Sequence, residues 1–257
     1  VDKLPFLISI PHGGNQTPKE IQDRVSISRK DLFEDGDAFT REIYDIQNEV
    51  TALISSPIAR AFVDMNRDLS DLPPDNPDGL VKTQTCHGKS IYAKGKELNQ
   101  KLTNVLTKNY YDRYHKKIET FLKKQKNLKL GLDCHSMEPM APQIAPDQGG
   151  VRPSICLSNN FGKSCPNEIV EILKSCFQQI FKLSSADILI NKPFAGGFIT
   201  RKFGNNPIPW IQIEMNRNLY LTSPWFNKKT LRISQRRLSY LRNNFKLTLE
   251  IFYKTTF

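Results

Sequence analysis

Apolar residues along the chain fall in short runs, and several of these runs end in a polar tip. PFLISIPHGG (5–14) is apolar up to His12 and two glycines, which predicts a buried strand delivering His12 to a sharp turn. TALISSPIARAFVDMNRD (51–68) predicts two short strands, the second ending in Asp64-Met65-Asn66-Arg67. In LKLGLDCHSM (128–137), leucines alternate with Lys129 and Gly131 before the polar end. An extended backbone there puts Asp133 and His135 on one face and turns Cys134 to the other. SICLSNN (154–160) and ADILIN (186–191) read as strands, and WIQIEMNRNLY (210–220) as a strand presenting Glu214 towards its far end.

Between these runs the period changes to that of helices. SRKDLFEDGDAFTREIYDIQNEV (28–50) opens on a Ser cap, passes the acidic cluster Glu34-Asp35-Gly36-Asp37, and predicts a helix with Phe39, Ile43 and Ile46 on its apolar face. A long helix, with room for a break, is expected over 95–126, and another over 165–182 with Pro166 near its first turn. A basic amphipathic helix is expected from about 229. DLPPDNPDG (71–79), the stretch 141–153 and the glycine-rich 192–209 read as loops, the first a long excursion on the active-site side and the last wrapping the site. Strands alternating with helices argue for a layered α/β domain with its site at strand ends. We read the chain as one domain, 1–257.

Composition narrows the class. A 39% hydrophobic share suits a folded chain, and no apolar run is long enough to cross a bilayer. Val1-Asp2 leads straight into a strand with no signal-peptide pattern, and the five cysteines are scattered without a framework spacing, which points to the cytoplasm. The net charge of +11 is open to three readings: solvated basic helix faces, attraction of a small anionic substrate, or a nucleic-acid surface. No zinc-finger, basic-zipper or RNA-binding signature supports the last, so no nucleic-acid partner is expected. The oligomeric state is not legible.

Four polar clusters at segment ends suggest chemistry: His12, Asn66-Arg67, His135 and Glu214. Two histidines and a carboxylate make a catalytic zinc site with a position left for water, and Asp37 is the candidate carboxylate. Asp37 could equally cap its helix. Glu214 is free to act as a general base, or to pair with Arg67, Arg201 or Arg217. Arg67 offers a fork for a substrate carboxylate with Asn66 beside it, and Arg201 could reach a second one. Cys134 reads as core, and His87 and His115 stand outside the main assignment.

The ordered blocks SIPHGG, DGDAFTREIY, RAFVDMNRD, DCHSM, NKPFAGGFITRKFG and IQIEMNRNLY cover most of the chain and resemble the N-formylglutamate amidohydrolase family. The resemblance implies a three-layer α/β/α fold around a mixed sheet, of the phosphorylase/hydrolase-like type found in zinc carboxypeptidases and aminoacylases. It implies one divalent metal, zinc, held by His12, His135 and a carboxylate. It also implies Asn66 and Arg67 on the substrate carboxylate and Glu214 as base, with His135 in the catalytic centre. The activity implied is hydrolysis of a small anionic N-acyl amino acid, N-formyl-L-glutamate, to formate and glutamate in histidine degradation. Two departures stand out: Asn15 replaces the Glu of the carboxypeptidase His-x-x-Glu pattern, and Ser158-Asn159 stands where a Gly-Asp pair is expected.

Overall fold

The computed structural model describes residues 3–142 and 145–257, so Val1-Asp2 and positions 143–144 of the 141–153 loop lie outside the described residues. Six strands build the central sheet: β1 (Leu4–Ile10), β2 (Val50–Ser55), β3 (Leu130–Met137), β4 (Ile155–Ser158), β5 (Ile188–Ile190) and β6 (Trp210–Asn216). Their order across the sheet is β2-β1-β3-β6-β4-β5, and every neighbouring pair is parallel except β4 against β6. The helices are α1 (Arg29–Asp35), α2 (Thr40–Ile43), α3 (Gln100–Leu106), α4 (Asp112–Lys124), α5 (Asn167–Phe181), α6 (Phe198–Phe203) and α7 (Gln235–Thr256).

Period-two alternation splits the apolar residues between two cores. Ile8, Ile10, Leu132, Cys134, Ile211 and Ile213 face α2, α5 and α7, where Phe177, Leu241, Phe245 and Phe252 are fully buried. Leu7, Ala52 and Trp210 face the opposite way, with Phe62, Tyr114 and Ile118 and with Ile199 and Phe203 of α6. The result is the three-layer α/β/α arrangement around a mixed sheet. Gly131 sits directly across from Trp210 in the β3–β6 register, and a Cβ there would collide with the indole, so the glycine makes room for the largest side chain of its core.

Several expected elements differ. The 192–209 stretch, read as a loop, contains helix α6 (Phe198–Phe203), which starts directly after Gly196-Gly197 with Ile199 and Phe203 buried. The second strand within 51–68 does not form, because Ala61, Phe62 and Val63 are all buried in succession and Asp64 turns the chain by accepting the Asn66 N–H at 2.8 Å. Helix α4 holds that turn from behind: Tyr111 donates to the Arg67 carbonyl at 2.8 Å and His115 contacts the Met65 carbonyl at 2.9 Å. A π-helical turn, Thr107–Tyr111, joins α3 to α4 and is the break in the long helix. The helix after the acidic cluster shrinks to four residues, since Phe39 enters it with a left-handed φ of 63°. The C-terminal helix begins at Gln235 because residues before it form a short hairpin, Phe226–Asn227 against Arg232–Ile233.

The basic segments behave as amphipathic helices. In α4, Tyr114, Ile118 and Leu122 are buried while Lys116, Lys117, Lys123 and Lys124 face solvent. No helix of the described residues is long and apolar enough to cross a membrane.

Candidate active site

The C-terminal ends of β1, β3 and β6 open into a cleft of about 570 Å³. Three elements converge there. His12 follows β1, His135 lies near the end of β3, and Asp37 sits between α1 and α2. Nδ1 of His12 and Nδ1 of His135 are 3.2 Å apart, and Oδ2 of Asp37 lies 3.1 Å from the latter and 3.5 Å from the former. A tetrahedral ion with bonds of about 2.0–2.1 Å separates its ligands by roughly 3.3–3.4 Å. The three atoms are therefore spaced as ligands of one small cation, and this nitrogen and oxygen donor set suits zinc.

The far nitrogen of each histidine meets a carboxylate. His12 Nε2 is 2.7 Å from Asp64 Oδ1, and His135 Nε2 is 3.1 Å from Asp133 Oδ2. Such carboxylate–histidine pairs fix the ring and leave the inner nitrogen free for a metal. Asp133 is fully buried and also accepts from Ser9 at 3.0 Å and Thr200 at 3.3 Å. Asp64 is braced by Arg60 Nε at 2.8 Å. Asp37 caps no helix with its carboxylate, since Oδ2 accepts the Ser136 N–H at 3.1 Å while its backbone carbonyl receives Thr40. Asn15, in the position of the missing Glu, is exposed, and its backbone N–H donates to the Pro57 carbonyl at 3.1 Å.

Electrostatics separate these acids. Burial pushes both Asp37 and Asp64 up, but the histidine contacts outweigh it and hold both carboxyls well below the usual range, with Arg60 assisting at Asp64. Burial opposes charge on His135 too, yet Asp133 and Asp37 raise its pKa well above the ordinary imidazole value. Glu214 differs: burial dominates and raises its carboxyl to about 7. It pairs with His135 across the β3–β6 register on the same face, and Gln212 donates to its Oε1 at 2.8 Å. Gln212 Oε1 in turn accepts the Gly197 N–H, tying the base to the glycine-rich loop.

The cleft brings together all seven residues singled out from the sequence: His12, Asp37, Asn66, Arg67, His135, Arg201 and Glu214. Their surroundings are unequal. Asn66 Oδ1 takes the Ile199 N–H at 2.7 Å, and its amide nitrogen lies 3.2 Å from His135 Nε2. A Cβ on Gly197 would strike that amide, which is why the loop carries glycine there. Arg67 is already engaged by Asp78 at 2.9 Å, with Asp64 and Asp71 nearby. Arg60, Arg152 and Arg217 pair with Asp64, Asp147 and Asp37 respectively. Arg201 is bonded only to the Gly196 carbonyl, at 2.5 Å, and has no acidic partner among the described residues. Glu214 pairs with none of the arginines proposed for it.

Several participants escaped the sequence reading. Asp64 and Gln212 had a usable signal, since each lies two residues from a selected one and period two puts Gln212 on the face of Glu214. Arg217 was read only as a possible partner of Glu214, and its pairing with Asp37 had no local signal because the two are 180 residues apart in sequence. His115 lies behind the Met65 carbonyl rather than in the cleft, and His87 pairs with Glu138 at 3.1 Å. Ser158 and Asn159 do not line the cleft; Ser158 holds the Phe194 carbonyl at 2.6 Å and Asn159 bonds Asn167 and Asn191.

A family model described as N-formylglutamate amidohydrolase matches residues 4–221. The chain belongs to that family. It is therefore an amide hydrolase. It is 24% identical over 240 residues to an N-formylglutamate deformylase of Pseudomonas putida, an alignment covering 89% of this chain and 87% of the relative. In fold it is similar to an N-formylglutamate amidohydrolase of Ralstonia eutropha, with a TM-score of 0.78 at 18% identity over 98% of this chain and 94% of that one. A gene product of Agrobacterium tumefaciens is similar at a TM-score of 0.67 and 15% identity, over 98% and 91% of the two chains.

Proposed function

We propose that the chain, acting as one domain over 1–257, hydrolyses N-formyl-L-glutamate to formate and L-glutamate with one bound zinc ion. The observation that carries this is the convergence of His12, Asp37 and His135 at ligand spacing, with the buried Glu214 on the same sheet face. The name of the Pseudomonas relative supports the substrate. His12, Asp37 and His135 would hold a divalent ion, whose Lewis acidity would make water nucleophilic near neutral pH. Glu214, steered by Gln212, takes the proton of the attacking water and passes it to the leaving amine. Asp64 and Asp133 keep the two histidine rings facing inward. Arg201, whose guanidinium makes no salt bridge among the described residues, holds one substrate carboxylate. Asn66 orients the other together with Arg67, whose Nε has no hydrogen-bond partner among the described residues while its Nη2 is held by Asp78.

The positive net charge adds attraction for a dianionic substrate. Five free cysteines fit a reducing, cytoplasmic setting, and the reaction would close one route of histidine degradation. The test is a panel of N-formyl-L-glutamate, N-acetyl-L-glutamate, N-formyl-L-leucine and a dipeptide, followed by release of acid or amine. The reading expects N-formyl-L-glutamate to have the highest kcat/KM and Arg201→Ala to reduce that preference mainly through KM. Faster turnover of any other member would reassign the substrate within the same hydrolytic class.

A further inference from the structure

Arg217 is the first residue after β6, and its buried guanidinium is fully engaged. Nε donates to Ser136 Oγ at 3.1 Å, Nη1 to the Glu34 carbonyl at 3.1 Å, and Nη2 to the Gly36 carbonyl at 2.7 Å. Glu138 Oε1 lies 3.7 Å from Nη1, and Asp37 Oδ1 lies 3.4 Å from Nη2. The two oxygens of Asp37 thus have separate neighbours. Oδ2 faces the two histidine nitrogens and the Ser136 N–H, while Oδ1 faces Arg217. Two backbone carbonyls and a hydroxyl fix the guanidinium independently of Asp37, so the carboxylate adapts to the arginine and not the reverse.

A carboxylate can bind a cation through one oxygen or both. A catalytic zinc site needs three protein ligands and an open fourth position. We propose that Arg217 is a positioning residue that keeps Asp37 a one-oxygen ligand by occupying Oδ1, and so preserves the open position on the metal. The inference rests on the metal reading above. It requires the planar fork of arginine: a lysine ammonium supplies the charge but cannot meet two carbonyls, a hydroxyl and a carboxylate oxygen at fixed angles.

The test uses Co²⁺ as probe in the full chain, with visible absorption reporting coordination number, since four-coordinate cobalt absorbs more strongly than five- or six-coordinate cobalt. Wild type, Arg217→Lys, Arg217→Met and Ser136→Ala are each loaded with cobalt, and bound metal is measured by chelator competition. The expected result is a strong wild-type spectrum that weakens severalfold in both Arg217 variants. With formylglutamate, their kcat should fall by about 10–100-fold, the range for lost outer partners of metal ligands, with little change in KM. Ser136→Ala, which removes only the hydroxyl under Nε, should show a smaller spectral change and keeps the test decisive should the Arg217 variants not fold. Folded, cobalt-loaded variants with the wild-type spectrum would overturn the inference. A wild-type chain that takes up no cobalt would overturn the metal reading itself, and the inference with it.

Discussion

The two faces of the central sheet are built by the same strands, yet they are stabilised in different ways. On the face towards α5 and α7, Ile8, Leu132, Ile211 and Ile213 bury hydrocarbon against hydrocarbon. On the other face, towards the strand ends, the neighbouring positions are Ser9, Asp133, His135, Gln212 and Glu214, all buried and polar. Hydrocarbon burial is additive and forgiving, worth about 25 cal/mol per Å². Buried polar groups are different, because removing one leaves its partner desolvated and unmatched. The first face is apolar along its length. The second has its own apolar core around Leu7, Phe62 and Trp210 and, at the strand ends, spends buried volume on groups whose value lies in their arrangement.

The largest expected effect comes from breaking the polar face at its most chemically exposed group. Glu214→Gln should lower deformylase kcat by about 10²–10⁴-fold, the usual contribution of a general base, with metal content unchanged. Wild-type turnover in that variant, measured as formate release, would remove Glu214 from the mechanism. On the apolar face the response should be reversed. Phe245→Ala, which removes a fully buried ring packed at 4.8 Å against Tyr44, should cost about 3–5 kcal/mol in urea unfolding while leaving kcat per folded molecule unchanged.

A pH test sharpens the same contrast. Burial, with Lys202 nearby, lowers the His115 pKa to about 4, whereas the unfolded chain titrates near about 6.5. Between those values the unfolded state binds the extra proton, so the His115 contribution is complete above about pH 6.5 and is lost as pH falls towards 4. The loss should be roughly 3 kcal/mol at most, and His115→Gln should flatten that part of the stability profile. Unfolding midpoints measured across pH 4–7 in both proteins decide it. The smallest effect is expected outside the ligand set: Asp64→Asn should weaken metal binding by about 10–100-fold in chelator competition without removing a ligand.

How legible each face was follows from what organises it. The apolar face was plain in the sequence because period two in β1, β3 and β6 and the helical period in α5 and α7 are local patterns. The same alternation put Asp133 and His135 on one face, and the resemblance brought Glu214 to them as the base. The turn at 64–67 was not legible, because its backbone is held by Tyr111 and His115, some fifty residues away. Nor was the occupation of Arg67 by Asp78, which depends on the path of the 71–79 loop. The sequence shows which groups are present. Whether an arginine is free for substrate depends on which carboxylate the fold has already brought to it.

The most direct test of the account is formate release from N-formyl-L-glutamate together with elemental analysis of the protein, as purified, after chelation, and after zinc is restored. The account predicts about one zinc per chain, activity that disappears with the metal, and recovery when zinc is returned. Full activity in a chain from which metal has been removed would contradict it.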